Sequence, residues 1–235
     1  MTRSRPAVIL TLQRSGGSFL AYCLSNHPDV FCARGEPMGG GGFWRRVCPD
    51  KLTRLELLLL RPYHRVGMCK LMEGHAFDGP VWTWLNRQNP PVKVVALRRE
   101  NIVAQAVSHE INAARLCGHP THAFGPVDPP PVRVDPDDVL ARCRTDVERY
   151  ACIDNALAGC GLDTLRLTYR QITGDKDAEQ VPQPVATAVC DFLDVPYARL
   201  YTRMRKVHTR PLAETVTNWD EVCARLRGTE FERFL

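Results

Sequence analysis

Within five residues, Arg14-Ser15-Gly16-Gly17-Ser18 brings together a cation, two hydroxyls and a pair of glycines. That combination suits an anion. Adjacent glycines let main-chain N–H groups approach a ligand with no Cβ in the way, and a helix starting here would add partial positive charge. Arg14 and the hydroxyls of Ser15 and Ser18 supply charge and further donors. Other residues with chemistry to offer lie far along the chain. Glu36, in Gly35-Glu36-Pro37, is a carboxylate able to take a proton from an attacking hydroxyl, or else a solvated loop residue. Lys70, flanked by Cys69, Leu71 and Met72, cannot sit unpaired in a core. It must reach an anion, a cleft or the solvent at a strand end. His75 is either a proton carrier or polar surface. Arg98 or Arg99 at the end of an apolar run can converge with Ser108 on one phosphate, provided the following helix folds back over the strand. A slip of one residue would turn the other arginine to that face.

These groups must be positioned by strands and helices. Ala7-Val8-Ile9-Leu10 reads as a buried parallel strand, and Phe19, Leu20, Cys23 and Leu24 fall at helical spacing. The glycine turn therefore joins a strand to a helix. Further strands are predicted at 29–32, 65–72, 92–97 and 164–169. Helices are predicted at 50–61, capped by Asp50 and stopped by Pro62, at 80–89, from 100 onward, at 137–158 and before 194. The pattern predicts one P-loop-like α/β domain over 1–235, with a mostly parallel sheet of four or five strands and helices on both faces. In such a sheet the ligand crevice lies at the carboxyl ends of the strands, which would turn Glu36 toward the first loop. The glycine run Gly39–Gly42 within 38–46 and the proline-rich stretch 118–136 read as mobile loops, the second a candidate lid.

Composition narrows the classes. With 44% hydrophobic and 24% charged residues in 235, the chain has enough apolar material for one full core and is not disordered. No apolar run approaches the ~18 residues of a membrane span. The stretch after Arg3 and Arg5 is too short for a signal peptide, so no membrane partner is expected. The ten cysteines show no C-x-x-C spacing. Cys23, Cys69, Cys152 and Cys190 read as small buried hydrophobes, in keeping with a reducing cytoplasm. A net charge of +5 without a basic run fits a small anionic ligand better than a nucleic acid. No carboxylate set suggests a metal, and a homodimer is left open.

The turn lacks the lysine of G-x-x-x-x-G-K-[ST], so it is not a Walker A loop. It resembles instead the 5′-phosphosulfate loop of sulfotransferases that use 3′-phosphoadenosine-5′-phosphosulfate (PAPS). That loop begins with a basic residue followed by Ser-Gly-[ST/G]-[ST], matched here by Arg14 to Ser18. Gly35-Glu36-Pro37 is similar to a Gly-Glu-Pro of bacterial members, whose glutamate is the proposed base. Arg99 and Ser108 fit the family's 3′-phosphate motif of a strand-end arginine and a serine eight or nine residues later, Arg98 being the alternative. Tyr169-Arg170-Gln171-Ile172 keeps the tyrosine of a Tyr-Glu-Asp-Leu-like sequence that lies near the adenine, but loses both acids. Lys206, in a basic stretch before Asn218-Trp219-Asp220-Glu221, matches a loop lysine of the bacterial trehalose and small-molecule type. The resemblance implies a sulfotransferase fold with Glu36 and Arg14 catalytic, and Lys70, if it points into the cleft, is read as a third catalytic residue. The resemblance also implies that Arg14, Ser15, Gly16, Gly17, Ser18, Arg99, Ser108, Tyr169 and Lys206 bind PAPS, the product being adenosine 3′,5′-bisphosphate, with no metal needed. The acceptor would be a hydroxyl of a small molecule, a sugar or a natural product. On this reading the exits of two strands hold opposite ends of one nucleotide. The rival readings are a P-loop-like small-molecule kinase and a non-catalytic nucleotide-binding protein of the same fold.

Overall fold

From Pro6 to Thr11 every side chain is buried, as a strand covered on both faces requires. In the computed structural model, which describes residues 4–38, 46, 48, 50–61, 63–77, 79–114, 130–174, 179–204 and 210–235, this strand is the centre of one sheet. The strands are β1 (Arg5–Thr11), β2 (Val30–Ala33), β3 (Val66–Met72), β4 (Lys93–Arg98) and β5 (Thr164–Thr168). They lie in the order β2-β3-β1-β4-β5, and every pairing is parallel. The sheet is thus wholly rather than mostly parallel.

The described helices are α1 (Gly17–Leu24), α2 (Lys51–Leu59), α3 (Glu73–Ala76), α4 (Gly79–Asn86), α5 (Ile102–Ala114) and α6 (Pro136–Cys160). They continue with α7 (Tyr169–Thr173), α8 (Gln183–Leu193), α9 (Leu212–Thr215) and α10 (Trp219–Leu226). Alternation along β1 divides the core between the two faces. Val8 and Leu10 pack with Leu55 and Leu58 of α2, Val103 and Val107 of α5, and Tyr150 of α6. Ala7 and Ile9 pack with Leu20 and Leu24 of α1 and Val189 and Leu193 of α8. Each such fully buried aliphatic side chain contributes roughly 1.5–3 kcal/mol.

Local chemistry sets several boundaries. The Asp50 carboxylate accepts from the Thr53 N–H at 2.6 Å and starts α2. Thr168 and Gln171 form a reciprocal capping box. That cap ends β5 at Thr168, so Tyr169 opens a helix instead of closing the strand as the sequence pattern predicts. The Asn218 side chain donates to the Val134 carbonyl at 2.9 Å and accepts from its N–H at 3.1 Å, which ties the last helix to the start of α6.

On α6 the sequence reading needs correction. Cys152 is exposed and Val147 is 46% exposed, whereas Asp146 is buried at 5%. The buried stripe runs through Val139, Leu140, Cys143, Asp146, Tyr150, Ile153 and Leu157, and Cys152 falls outside it. Most of the two predicted mobile loops lies outside the described residues, and so does Lys206. Among the described residues no helix is long and apolar enough to cross a membrane.

Candidate active site

Register brings four strand exits to one edge. Thr11 of β1 stands opposite Met72 of β3 and Leu97 of β4, and Arg98 stands opposite Thr168 of β5. From β1 the chain moves to one side for β2 and β3, then crosses to the other for β4 and β5. The crevice of an open parallel sheet forms at such a reversal.

The turn after β1 is shaped by its backbone. Arg14 has φ 62°, a left-handed conformation that costs a non-glycine residue about 1 kcal/mol. Gly16 has φ 92°, and a Cβ on it would lie 2.7 Å from Tyr169 Cδ2 and 3.1 Å from Ile172 Cδ1. At Gly17 a Cβ would lie 2.8 Å from Thr11 Cγ2 and 3.0 Å from Lys70 Cδ. Both glycines are therefore required by close approach, one to α7 and one to β3. The Ser15 hydroxyl does not face the crevice as expected. It is buried, donates to the Leu12 carbonyl at 2.7 Å and is hydrogen-bonded to the Thr11 hydroxyl, so it holds the turn together.

Two clusters meet at this turn. In the first, Lys70 is only 4% exposed, and its Nζ lies 2.9 Å from Ser18 Oγ and 3.1 Å from Glu36 Oε1. The Glu36 side chain is 44% exposed, so the pair has one buried and one open partner. Burial pulls the Lys70 ammonium below its ordinary range; the Glu36 carboxylate opposes this and Arg14 adds to it. In the second, Arg14 Nε donates to Ser108 Oγ at 2.9 Å, and Arg99 Nη1 donates to the Arg14 carbonyl at 3.4 Å. The Arg99 guanidinium lies 4.8 Å from the centroid of the Tyr169 ring. Burial lowers the pKa of both arginines, and the Arg99 charge lowers Arg14 further. Among the described residues neither has a carboxylate within ion-pair distance. Two desolvated guanidiniums near enough for one to depress the other, with no such partner among the described residues, favour anionic ligands.

Arg98 and Arg99 part company at the end of β4. Arg98 pairs with Asp154 at 3.6 Å and lies over the Tyr150 ring at 4.8 Å, whereas Arg99 joins Arg14, Ser108 and Tyr169. Arg14 and Ser108, placed at opposite ends of a ligand by the sequence reading, are in direct contact. The reason is that α5 folds back over β4 far enough to bring Ser108 to the turn. His75 lies in the last turn of α3, close after Lys70 in the chain.

Sequence reasoning missed a buried polar chain behind Arg99. Tyr150 Oη accepts from the Arg99 N–H at 3.0 Å and donates to Gln105 Oε1 at 2.9 Å. Gln105 Nε2 in turn donates to Asp146 Oδ2 at 3.2 Å. Burial pushes the Asp146 carboxyl up to about 6, against the pull of Arg142 and Arg149 and the bond from Gln105. The signal was present, since Asp146 and Gln105 occupy apolar-stripe positions of their helices.

No family model matches this sequence. Two curated relatives are both described as nodulation protein H, from Rhizobium meliloti and from its strain 1021. They are 26% and 25% identical over alignments of 246 residues, covering 98% of this chain and 94% of each relative. Among solved structures, a sulfotransferase from Alicyclobacillus acidocaldarius superposes with a TM-score of 0.52 at 14% identity, covering 99% of both chains. A sulfotransferase domain from the curacin biosynthetic pathway gives 0.51 at 16% identity, over 83% of this chain and 75% of that one. At those identities the structures speak for the fold. The chain thus has a sulfotransferase-like fold and is similar to nodulation protein H over nearly its full length.

Proposed function

We propose that this protein moves a sulfuryl group from PAPS to a hydroxyl of a small-molecule acceptor, a sugar or a natural product. The observation that carries the reading is the meeting of Arg14 and Arg99, from the exits of β1 and β4, with no carboxylate partner among the described residues. A nucleotide bearing two separate anionic groups supplies the missing charge at both. Arg99 and Ser108 would hold the 3′-phosphate, Tyr169 would line the adenine side, and Lys206 is proposed as a further contact on the basis of sequence alone.

The other cluster suits the transfer. When bound, PAPS supplies an activated sulfuryl group, whose S–O bond to the 5′-phosphate breaks as the acceptor oxygen attaches to sulfur. Arg14, Ser18 and the main-chain N–H groups of the 15–17 turn would stabilise charge growing on the departing phosphate. Lys70, held by Ser18, carries a cation to the same end. Glu36 takes the acceptor's proton, and its bond to Lys70 orients the carboxylate. The open side of Glu36 is where a hydroxylated acceptor would enter.

Titration with ATP and with adenosine 3′,5′-bisphosphate, followed by labelled-sulfate transfer to a panel of hydroxylated compounds, tests the proposal. Preference for the bisphosphate together with transfer supports it. Tight ATP binding without bisphosphate binding would overturn it in favour of a kinase. Bisphosphate binding with no transfer to any hydroxyl would overturn the acceptor assignment.

A further inference from the structure

We infer that Tyr150 is a positioning residue that decides which of two adjacent arginines serves the 3′-phosphate. This rests on the nucleotide reading above. Arg98 and Arg99 are neighbours at the end of an extended strand, where successive side chains leave on opposite faces. Composition does not distinguish them. Tyr150 does, through both ends of its side chain. Its hydroxyl accepts the Arg99 N–H at 3.0 Å, and its ring lies 4.8 Å beneath the Arg98 guanidinium. That second contact, with the Asp154 carboxylate 3.6 Å from Arg98, holds Arg98 away from the crevice. With the 98–99 peptide pinned and Arg98 engaged behind the sheet edge, Arg99 leaves toward Tyr169 and the Arg14 carbonyl.

With Asp146 ionised, the chain behind Tyr150 runs in one direction only. A carboxylate has no proton to give, so the Gln105 amide must turn its NH2 toward Asp146 and its oxygen toward Tyr150. The Tyr150 proton is then committed to Gln105, which leaves a lone pair for the Arg99 N–H. Tyr150, Gln105 and Asp146 are 3%, 0% and 5% exposed, so water does not compete for these bonds. A buried chain with every member satisfied rigidifies what it touches, and here it touches the main chain of Arg99.

The test is calorimetric titration of wild type, Tyr150→Phe and Arg98→Ala with adenosine 3′,5′-bisphosphate and with AMP. The readout is the ratio of the two affinities, which reports the 3′-phosphate alone. Wild type is expected to prefer the bisphosphate by about 10- to 100-fold, as for charge-assisted contacts to one phosphate. Tyr150→Phe should cut that preference about tenfold while AMP binds as before. Arg98→Ala should leave the ratio within about twofold. If Tyr150→Phe folds poorly, Gln105→Met takes its place, since it removes the acceptor of the Tyr150 proton. It should lower the same ratio by about threefold. A preserved ratio, or equal weakening of both nucleotides, overturns the role of Tyr150 and leaves the nucleotide reading standing. A wild type that does not distinguish the two nucleotides overturns that reading and this inference with it.

Discussion

Replacing Glu36 by glutamine tests the proton acceptor and the ion pair together. The Lys70–Glu36 contact of 3.1 Å corresponds to about 1.3 kcal/mol with water-like screening and about 2.7 kcal/mol at a dielectric constant near 40. Because the Glu36 side chain is 44% exposed, the lower half of that range applies. Glutamine keeps an oxygen that can accept from Lys70, so only the charge contribution is lost. Glu36→Gln should therefore cost about 1–2 kcal/mol of stability at neutral pH. The residue that suffers is Lys70, whose buried ammonium loses its counter-charge and whose pKa falls further. Lys70→Met removes that charge, and adding Glu36→Gln to it should cost almost nothing more. The cycle should give about 1–2 kcal/mol of coupling in urea unfolding. In labelled-sulfate transfer, Glu36→Gln should lose about 10²- to 10⁴-fold in kcat. Affinity for adenosine 3′,5′-bisphosphate should hold or tighten slightly, because a negative charge has been removed. Additive stabilities would refute the pairing argument. An active Glu36→Gln enzyme would move the base elsewhere, His75 being the next residue to test.

Gly16→Ala should cost roughly 2–3 kcal/mol, part from the left-handed backbone and part from a Cβ placed 2.7 Å from Tyr169. It should also weaken bisphosphate binding by shifting the ring against which Arg99 lies. Tyr169→Ala in the same chain should recover the steric part only; a Gly16→Ala variant within about 0.5 kcal/mol of wild type contradicts the packing argument. Asp146, raised from 3.8 to about 6, holds more protons folded than unfolded across that window, so it lowers wild-type stability as pH rises through it. Asp146→Asn should accordingly gain on wild type in urea midpoint from about pH 4 to 6 and keep a constant advantage above; a wild type that gains instead reverses the assignment. Arg14→Ala should lose about 10²-fold or more in turnover but only about tenfold in bisphosphate affinity, since its proposed contact is with charge that develops during transfer. Equal losses in both would reduce it to a binding residue.

Much of the frame was legible because it depends on local physics. The apolar runs 7–10, 66–69 and 94–97 show no polar alternation, and only strands covered on both faces tolerate that. Arg14 to Ser18 announces an anion turn through two glycines and a cation, and Asp50 announces a helix start. Mistakes arose where a local pattern permits two outcomes. Tyr169 suits the end of a strand until the Thr168–Gln171 cap claims it for a helix. Cys152 suits an apolar face until the phase of α6 turns it outward and Asp146 inward.

The strand–turn–helix at the start, the parallel α/β class and the residue types that could grip an anion are all readable from the chain without coordinates. Hydrophobic periodicity and the freedom of glycine are properties of short segments, so they can be read without knowing what lies opposite. Which groups meet is set by the folded arrangement. Lys70 finds partners 52 and 34 residues away in Ser18 and Glu36. Arg14 reaches Ser108 across 94 positions, and the Arg99 N–H donates to a tyrosine 51 residues later. Such pairings follow from register, from the phase of a helix and from the cost of leaving a buried charge unpaired. None of these exists before the sheet has formed.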